Sequence, residues 1–231
     1  MVTTEMSDRI RSILDRIAAA ARRSGREPQS VTLLAVSKTK PLETVVEAAR
    51  TGLVCHFGEN HVQEGQIKVP AFPEELTAVW HLIGHLQRNK ARKAAQLFDV
   101  IESVDSTAIA AALERVCAEM QKTLPVLIEA NSSGEASKTG TPWDEVPRLA
   151  DYLRDECPHL RLDGLMTIGP LGGDETAVRR AFAATRELRD QLRLSSGDLP
   201  CLSMGMSGDF EWAIEEGSTQ VRVGTAIFGR R

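Results

Sequence analysis

Short apolar runs alternate with helix-patterned stretches along this 231-residue chain. No other feature narrows the fold as much. The strand candidates are residues 31–37, 54–57, 78–83, 100–104, 125–130, 160–167, 200–204 and 220–226. Between them, residues 42–50, 62–69, 89–97, 107–121, 143–156, 175–194 and 209–215 read as helices. A further amphipathic helix over 5–24 comes first, with Met6, Ile10, Ile13, Leu14 and Ile17 at helical spacing and Gly25 at its end. Strand and helix in turn, about eight times, indicate a parallel sheet with helical crossovers. Eight strands close into a (β/α)8 TIM barrel. An open doubly wound sheet is the alternative, since pattern alone does not prove closure. The expectation is one α/β domain over residues 1–231, with the first 25 residues as a helix packed on the barrel.

In such barrels the chemistry sits just past the C-terminal ends of the strands. Lys38 follows the first strand candidate, Asn60 the second, His85 the third and Asn131 the fifth. Met166 and Thr167 end the sixth, and Ser207 lies after the seventh. Arg222, Gly224 and Thr225 lie along and after the eighth. Residues chosen for their chemistry all fall on one rim.

Lys38 ends the run Leu33-Leu34-Ala35-Val36-Ser37-Lys38-Thr39-Lys40-Pro41. A lysine at the end of a buried strand loses its proton more easily than one in water, because burial penalises the ammonium form. The neutral amine attacks an aldehyde to make a Schiff base. By position alone an ordinary surface lysine is the commoner reading, and Lys40 is expected to be one. The segment Ser203-Met204-Gly205-Met206-Ser207-Gly208 changes the balance. Ser207 is expected to cap the following helix, whose first N–H groups suit a phosphate dianion. Gly205 and Gly208 allow close backbone approach. Gly224 and Thr225 offer a second set of donors, and Met206 lies beside the first. An ordinary capped helix and a tight turn remain the bland alternatives. Asp209 and Glu211 fit beside an anion only if they point away. An amine and a phosphate cradle together suggest pyridoxal 5′-phosphate.

Arg222 alternates with Val221 and Val223. If the valines meet the helices, Arg222 points into the barrel and needs a partner there. Asn60 could serve at the rim and Met166 could pack against a ring. A helix cap and a core gap-filler are equally good readings of those two.

Several motifs carry a family resemblance. They are Ala35-Val36-Ser37-Lys38-Thr39-Lys40-Pro41, Phe57-Gly58-Glu59-Asn60, Trp80-His81-Leu82-Ile83-Gly84, Leu86-Gln87-Arg88-Asn89-Lys90, Gly164-Leu165-Met166, Ser203-Met204-Gly205-Met206-Ser207 and the run from Gly217 to Gly229. In this order, from about residue 31 onward, they resemble the pyridoxal phosphate homeostasis proteins (YggS/PROSC type). The resemblance implies the barrel of alanine racemase, the fold type III arrangement, with the cofactor on Lys38. It also implies that Arg222 faces the pyridine nitrogen and leaves it unprotonated. His85 stands where many members of that family have a proline.

Two functions compete. Racemisation needs an acid or base on each face of a carbanion. Alanine racemase takes the second from a tyrosine of another domain. The single tyrosine here, Tyr152, falls in an outer helix, and the sequence ends just after the barrel. The expectation is therefore a carrier that buffers pyridoxal 5′-phosphate and hands it to apo-enzymes, with an amino-acid racemase as the alternative. A pocket for another phosphorylated metabolite is a third reading.

Bulk properties exclude other classes. The formal net charge is −4 with signs interspersed, which argues against nucleic acid or an anionic membrane. No apolar run is long enough to span a bilayer, and the N-terminus is no signal peptide. Cys55, Cys117, Cys157 and Cys201 are scattered, as in a reduced cytoplasmic protein. His81 and His85 do not share a helix face, so no metal is expected. Arg88 to Lys93 reads as a solvated helix face. A monomer is the default.

Overall fold

The computed structural model describes residues 4–132, 139–170 and 172–229. Residues 1–3 of the expected N-terminal stretch and the final Arg230-Arg231 lie outside them. The order is α1 (Thr4–Arg23), β1 (Thr32–Val36), α2 (Leu42–Arg50), β2 (His56–Glu59), α3 (Val62–Ala71), β3 (Val79–Leu82), α4 (Ala91–Leu97), β4 (Val100–Val104) and α5 (Thr107–Met120). It continues with β5 (Leu124–Glu129), α6 (Val146–Glu156), β6 (Leu160–Met166), α7 (Glu175–Ser196), β7 (Cys201–Ser203), α8 (Phe210–Glu215), β8 (Gln220–Val223) and α9 (Thr225–Phe228). The eight strands form a closed parallel barrel in sequence order, with β1 paired to β8. Closure removes the open-sheet alternative.

Strand alternation sorts the side chains. On β1, Leu33 and Ala35 join the apolar layer under the helices. Leu34 turns inward, where a Cβ at Gly58 of β2 would come within 2.4 Å of its Cδ2. A larger residue there would push the ends of the Leu34 and Ile83 side chains aside. On β8, Val221 and Val223 pack into the helix-facing layer, and Gln220 and Arg222 face the interior.

Helix α1 buries Met6, Ile10, Ile13, Ile17, Ala20 and Ala21, the three-and-four spacing of one apolar stripe. It lies against α8 and α9. Arg16 reaches Glu211 at 3.1 Å and Arg23 reaches Glu215 at 2.7 Å, and the Arg16 guanidinium sits over the Phe210 ring. Such exposed pairs contribute little stability. The apolar stripe carries the packing.

Two of the boundaries that differ from the sequence expectation bear on the site. The eighth strand ends at Val223, and Gly224 starts the short helix α9. The helix after β7 begins at Phe210, with Asp209 at its N-cap position. Ser207 lies in the turn before it and caps nothing. The Asp209 carboxylate accepts the Met206 N–H at 2.6 Å, which stabilises a turn where a Ser207 cap was expected. No described helix is long and apolar enough to cross a membrane.

Candidate functional site

At the C-terminal mouth of the barrel lies a cavity of about 300 Å³. Its wall holds Val36 and Lys38 from the end of β1, Asn60 after β2, Ile83 after β3 and Ile168 after β6. Met206, Ser207 and Gly208 come from the turn after β7, and Arg222, Gly224 and Thr225 from β8 and the start of α9. The sequence places Lys38 and Thr225 far apart, and pairing of β1 with β8 brings their strand ends together.

Of the residues expected at the site, Lys38, Asn60, Met206, Ser207, Arg222, Gly224 and Thr225 line this cavity. Met166 is almost fully buried in the core, and Ile168, two residues on, supplies an apolar wall in its place. Gly205 shapes the cradle from behind. Its φ is +96°, and a Cβ there would come within 2.6 Å of Ala213 Cβ. Its carbonyl also accepts the Arg222 N–H.

The two acidic residues beside the cradle are both engaged. Glu211 pairs with Arg16 of α1. Asp209 folds onto its own turn through the Met206 N–H. Burial lifts the Asp209 carboxyl above its usual range, against the pull of that hydrogen bond and of the Arg222 charge. Lys40 is not a plain surface lysine: its Nζ donates to the carbonyls of Phe228 and Gly229 at 3.0 and 3.1 Å and closes the end of α9. His85 is exposed at the rim and bonded to Asp105 at 2.9 Å, beside a second hollow that also includes Asn60 and Lys90.

Arg222 anchors a buried polar network inside the barrel. Its Nη1 donates to Ser203 O at 2.7 Å and Ser203 Oγ at 2.8 Å, and its Nη2 to Thr167 O at 2.7 Å. Ser203 Oγ donates to Glu102 Oε2 at 2.6 Å, and Gln220 Nε2 to Glu102 Oε1 at 2.7 Å. His81 lies 2.7 Å from Glu102 Oε1 and 2.9 Å from His56. Burial would raise the Glu102 carboxyl, but the His81 hydrogen bond, the Arg222 charge and Ser203 hold it below the ordinary value. Burial pulls Arg222 down, against the charges of Glu102, Glu129 and Asp209. An arginine keeps its proton regardless.

A second polar cluster lies under the turn that carries Lys38. Lys68 Nζ contacts Glu59 Oε1 at 2.8 Å and Glu64 Oε2 at 3.1 Å, and Ser37 Oγ donates to Glu59 Oε1 at 2.6 Å. Glu59 Oε2 is buried without a hydrogen-bond partner among the described residues. Burial lifts the Glu59 carboxyl to about 7, despite the hydrogen bonds from Lys68 and Ser37.

Sequence reasoning missed Glu59, Lys68 and Glu102. A signal was present. Glu102 interrupts the apolar strand Val100–Val104, and a charge there needs a buried partner. No group of three or more possible metal ligands occurs among the described residues.

Comparison with known proteins agrees with this fold. Residues 9–231 match the family model of the alanine racemase N-terminal domain. A pyridoxal phosphate homeostasis protein of Vibrio alginolyticus is 43% identical over 231 residues, 99% of this chain and 98% of that protein. The structure of PipY from Synechococcus elongatus PCC7942 with PLP bound superposes with a TM-score of 0.78 at 37% identity, covering 94% of this chain and 100% of that one. An alanine racemase of Clostridium difficile 630 has a TM-score of 0.75 at 13% identity, covering 97% of this chain and 57% of its own. That last likeness concerns the fold alone.

Proposed function

Because this chain belongs to the pyridoxal phosphate homeostasis proteins, within the alanine racemase N-terminal domain family, we propose that it binds pyridoxal 5′-phosphate through Lys38 as a Schiff base and serves as a carrier of that cofactor. The observation that supports this most is a single cavity walled by the Lys38 side chain, the Ser207–Gly208 turn, Thr225 and Arg222. Its volume is at the small end of ligand sites, which suits a compact, flat ligand.

When bound, the cofactor supplies an aldehyde that a neutral amine can capture. Lys38 provides that amine from the end of β1. Ser207, Gly208, Gly224 and Thr225 provide hydroxyl and backbone donors for the phosphate. Val36, Ile83 and Ile168 provide apolar surface for the faces of the ring and exclude water from it. Asn60 provides a polar contact at the rim. Arg222 is held by Ser203 and Thr167 through three of its hydrogen bonds, which leaves N–H donors for the ring nitrogen. A donor at that nitrogen keeps it unprotonated and weakens the ring as an electron sink.

That electrostatic setting favours a carrier over a racemase. Among the described residues lining the cavity, Lys38 is the one candidate acid or base, since Arg222 keeps its proton. Tyr152 lies on the outer helix α6. The proposed role is to hold the free aldehyde in the cytoplasm, as a monomer, and release it to apo-enzymes.

Borohydride trapping tests the reading. The wild-type protein is expected to become covalently labelled by pyridoxal 5′-phosphate, and Lys38→Ala to stay unlabelled and colourless. Labelling that persists in Lys38→Ala would assign the bond to another lysine. Lys38-dependent deuterium exchange at the α-carbon of amino acids, at enzyme-like rates, would replace the carrier with the racemase.

A further inference from the structure

Lys38 stands between two backbone groups, each held by a charged side chain. On one side, the Ser37 carbonyl accepts from Lys68 Nζ at 2.8 Å. On the other, the Thr39 N–H donates to Glu64 Oε2 at 2.6 Å. Lys68 lies one helical turn after Glu64 on α3, so both face the same way. Glu59, at the end of β2, ties Lys68 to the Ser37 hydroxyl.

The turn so held is strained. Thr39 has φ of +64°, a left-handed conformation for a β-branched residue. Such a conformation persists only where surrounding contacts over-determine it. The holding cluster is itself costly. Lys68 is 5% exposed and Glu59 is fully buried. Apolar side chains of similar size would fill a gap between strand and helix without that desolvation penalty. They could not grip a carbonyl and an N–H on either side of one residue.

We propose that Glu59, Glu64 and Lys68 are positioning residues, which lock the turn from Ser37 to Thr39 so that the Lys38 amine meets the aldehyde at a fixed place. This rests on the reading of Lys38 as the cofactor-bearing lysine. In that capture the amine nitrogen uses its lone pair to bond the aldehyde carbon, and the aldehyde oxygen departs as water with both amine protons. The rate of such a step depends steeply on the approach of the reacting atoms. The phosphate cradle hangs from β7, β8 and α9; the hydrogen bonds of Glu59, Glu64 and Lys68 run to Ser37, Thr39 and one another, and the tie from this stretch to α9 is made by Lys40 instead. Locking the turn therefore governs capture, and the cradle governs retention of the phosphate.

The experiment separates these two. The capture rate of pyridoxal 5′-phosphate is followed by absorbance and borohydride trapping. In parallel, the Kd of pyridoxine 5′-phosphate, which has no aldehyde, is measured by calorimetry. The variants are Lys68→Met, Glu64→Gln and the double variant Glu59→Gln/Lys68→Met, which removes both buried charges and so protects the fold. Circular dichroism checks each. Capture is expected to slow about tenfold or more in Lys68→Met and in the double variant, with the pyridoxine 5′-phosphate Kd unchanged. Glu64→Gln keeps an acceptor for Thr39 and should fall between them and wild type. Wild-type capture in the folded double variant overturns the proposal, provided Lys38→Ala is inert. So does an equal loss of capture and of pyridoxine 5′-phosphate binding, which would mark a general structural role. Capture that survives in Lys38→Ala overturns the reading of Lys38 itself.

Discussion

The network around Arg222 lies inside the barrel and draws its members from β2, β3, β4, β7 and β8, whereas the cluster around Lys68 lies outside it, between β1, β2 and α3. Ser203 and Glu102 are 101 residues apart, while Lys68 and Glu59 are nine apart. The interior network needs the closed barrel before its charges can meet. The exterior cluster needs only the first β-α-β unit and the helix after it. The two differ in satisfaction as well. Both oxygens of Glu102 are hydrogen-bonded, and one oxygen of Glu59 has no partner. The carboxyls therefore shift in opposite directions, Glu102 down and Glu59 up. Burial alone does not decide the sign of a shift. The donors and positive charges facing the group do.

The largest expected effect comes from removing the interior counter-charge. Glu102→Leu removes the largest of the charges that offset the burial of Arg222 and should cost about 3–5 kcal/mol. Urea unfolding measures it, and a loss well under about 1 kcal/mol would mean that the backbone acceptors alone satisfy Arg222. Lys68→Met comes next, at about 3 kcal/mol near pH 8, because it strands an ionised Glu59. Its cost should shrink at lower pH, where Glu59 takes a proton, and adding Glu59→Gln should restore much of the stability. An equal cost at all pH values would remove Glu59 from the account.

The pH dependence of stability sharpens the contrast. Glu59 has a folded value near 7 against an ordinary 4.5, so the folded state holds its proton longer than the unfolded one. Its contribution is fully present below about 4.5 and is lost as pH rises through about 7. Glu59→Gln should flatten this slope by about 3 kcal/mol. Glu102 works the other way. Its folded value is depressed, so its contribution is present above the ordinary carboxylate value and is lost as pH falls below it. Thermal melts should show Glu59→Gln changing the limb between about pH 4.5 and 7 and Glu102→Leu changing the acid limb below about pH 4.5. The smallest expected effect is at the cradle. Ser207→Ala or Thr225→Val should each weaken phosphate binding by about 1 kcal/mol, roughly fivefold. Unchanged affinity in both would move the phosphate elsewhere in the cavity.

Most of the scaffold could be read in advance. The helices over 42–50 and 107–120 and the strand over 100–104 fall where their patterns put them, within a residue. The valines flanking Arg222 announced that its side chain faces inward. Boundaries set by tertiary contacts were less legible. Asp209 rather than Ser207 occupies the cap position because its carboxylate is bound back to the Met206 N–H, a geometry no spacing rule specifies. Ile168 replaces Met166 at the cavity because the wall begins beyond the last paired residue of β6. Nothing in the sequence marked Lys68, since a Glu-to-Lys pair at four-residue spacing is usually a solvated one.

The sequence by itself determined the repeating unit, the rim on which polar residues collect and the lysine at the end of the first strand. Those follow from side-chain periodicity and from chain connectivity, which are local. Only the tertiary structure decided which charges share a buried space: closure of β8 onto β1 brings the Arg222 strand beside the Lys38 strand, and the packing of α3 under the Lys38 turn makes partners of Glu59, Glu64 and Lys68. Charge interactions act through distance and desolvation, and neither is fixed until the chain has folded.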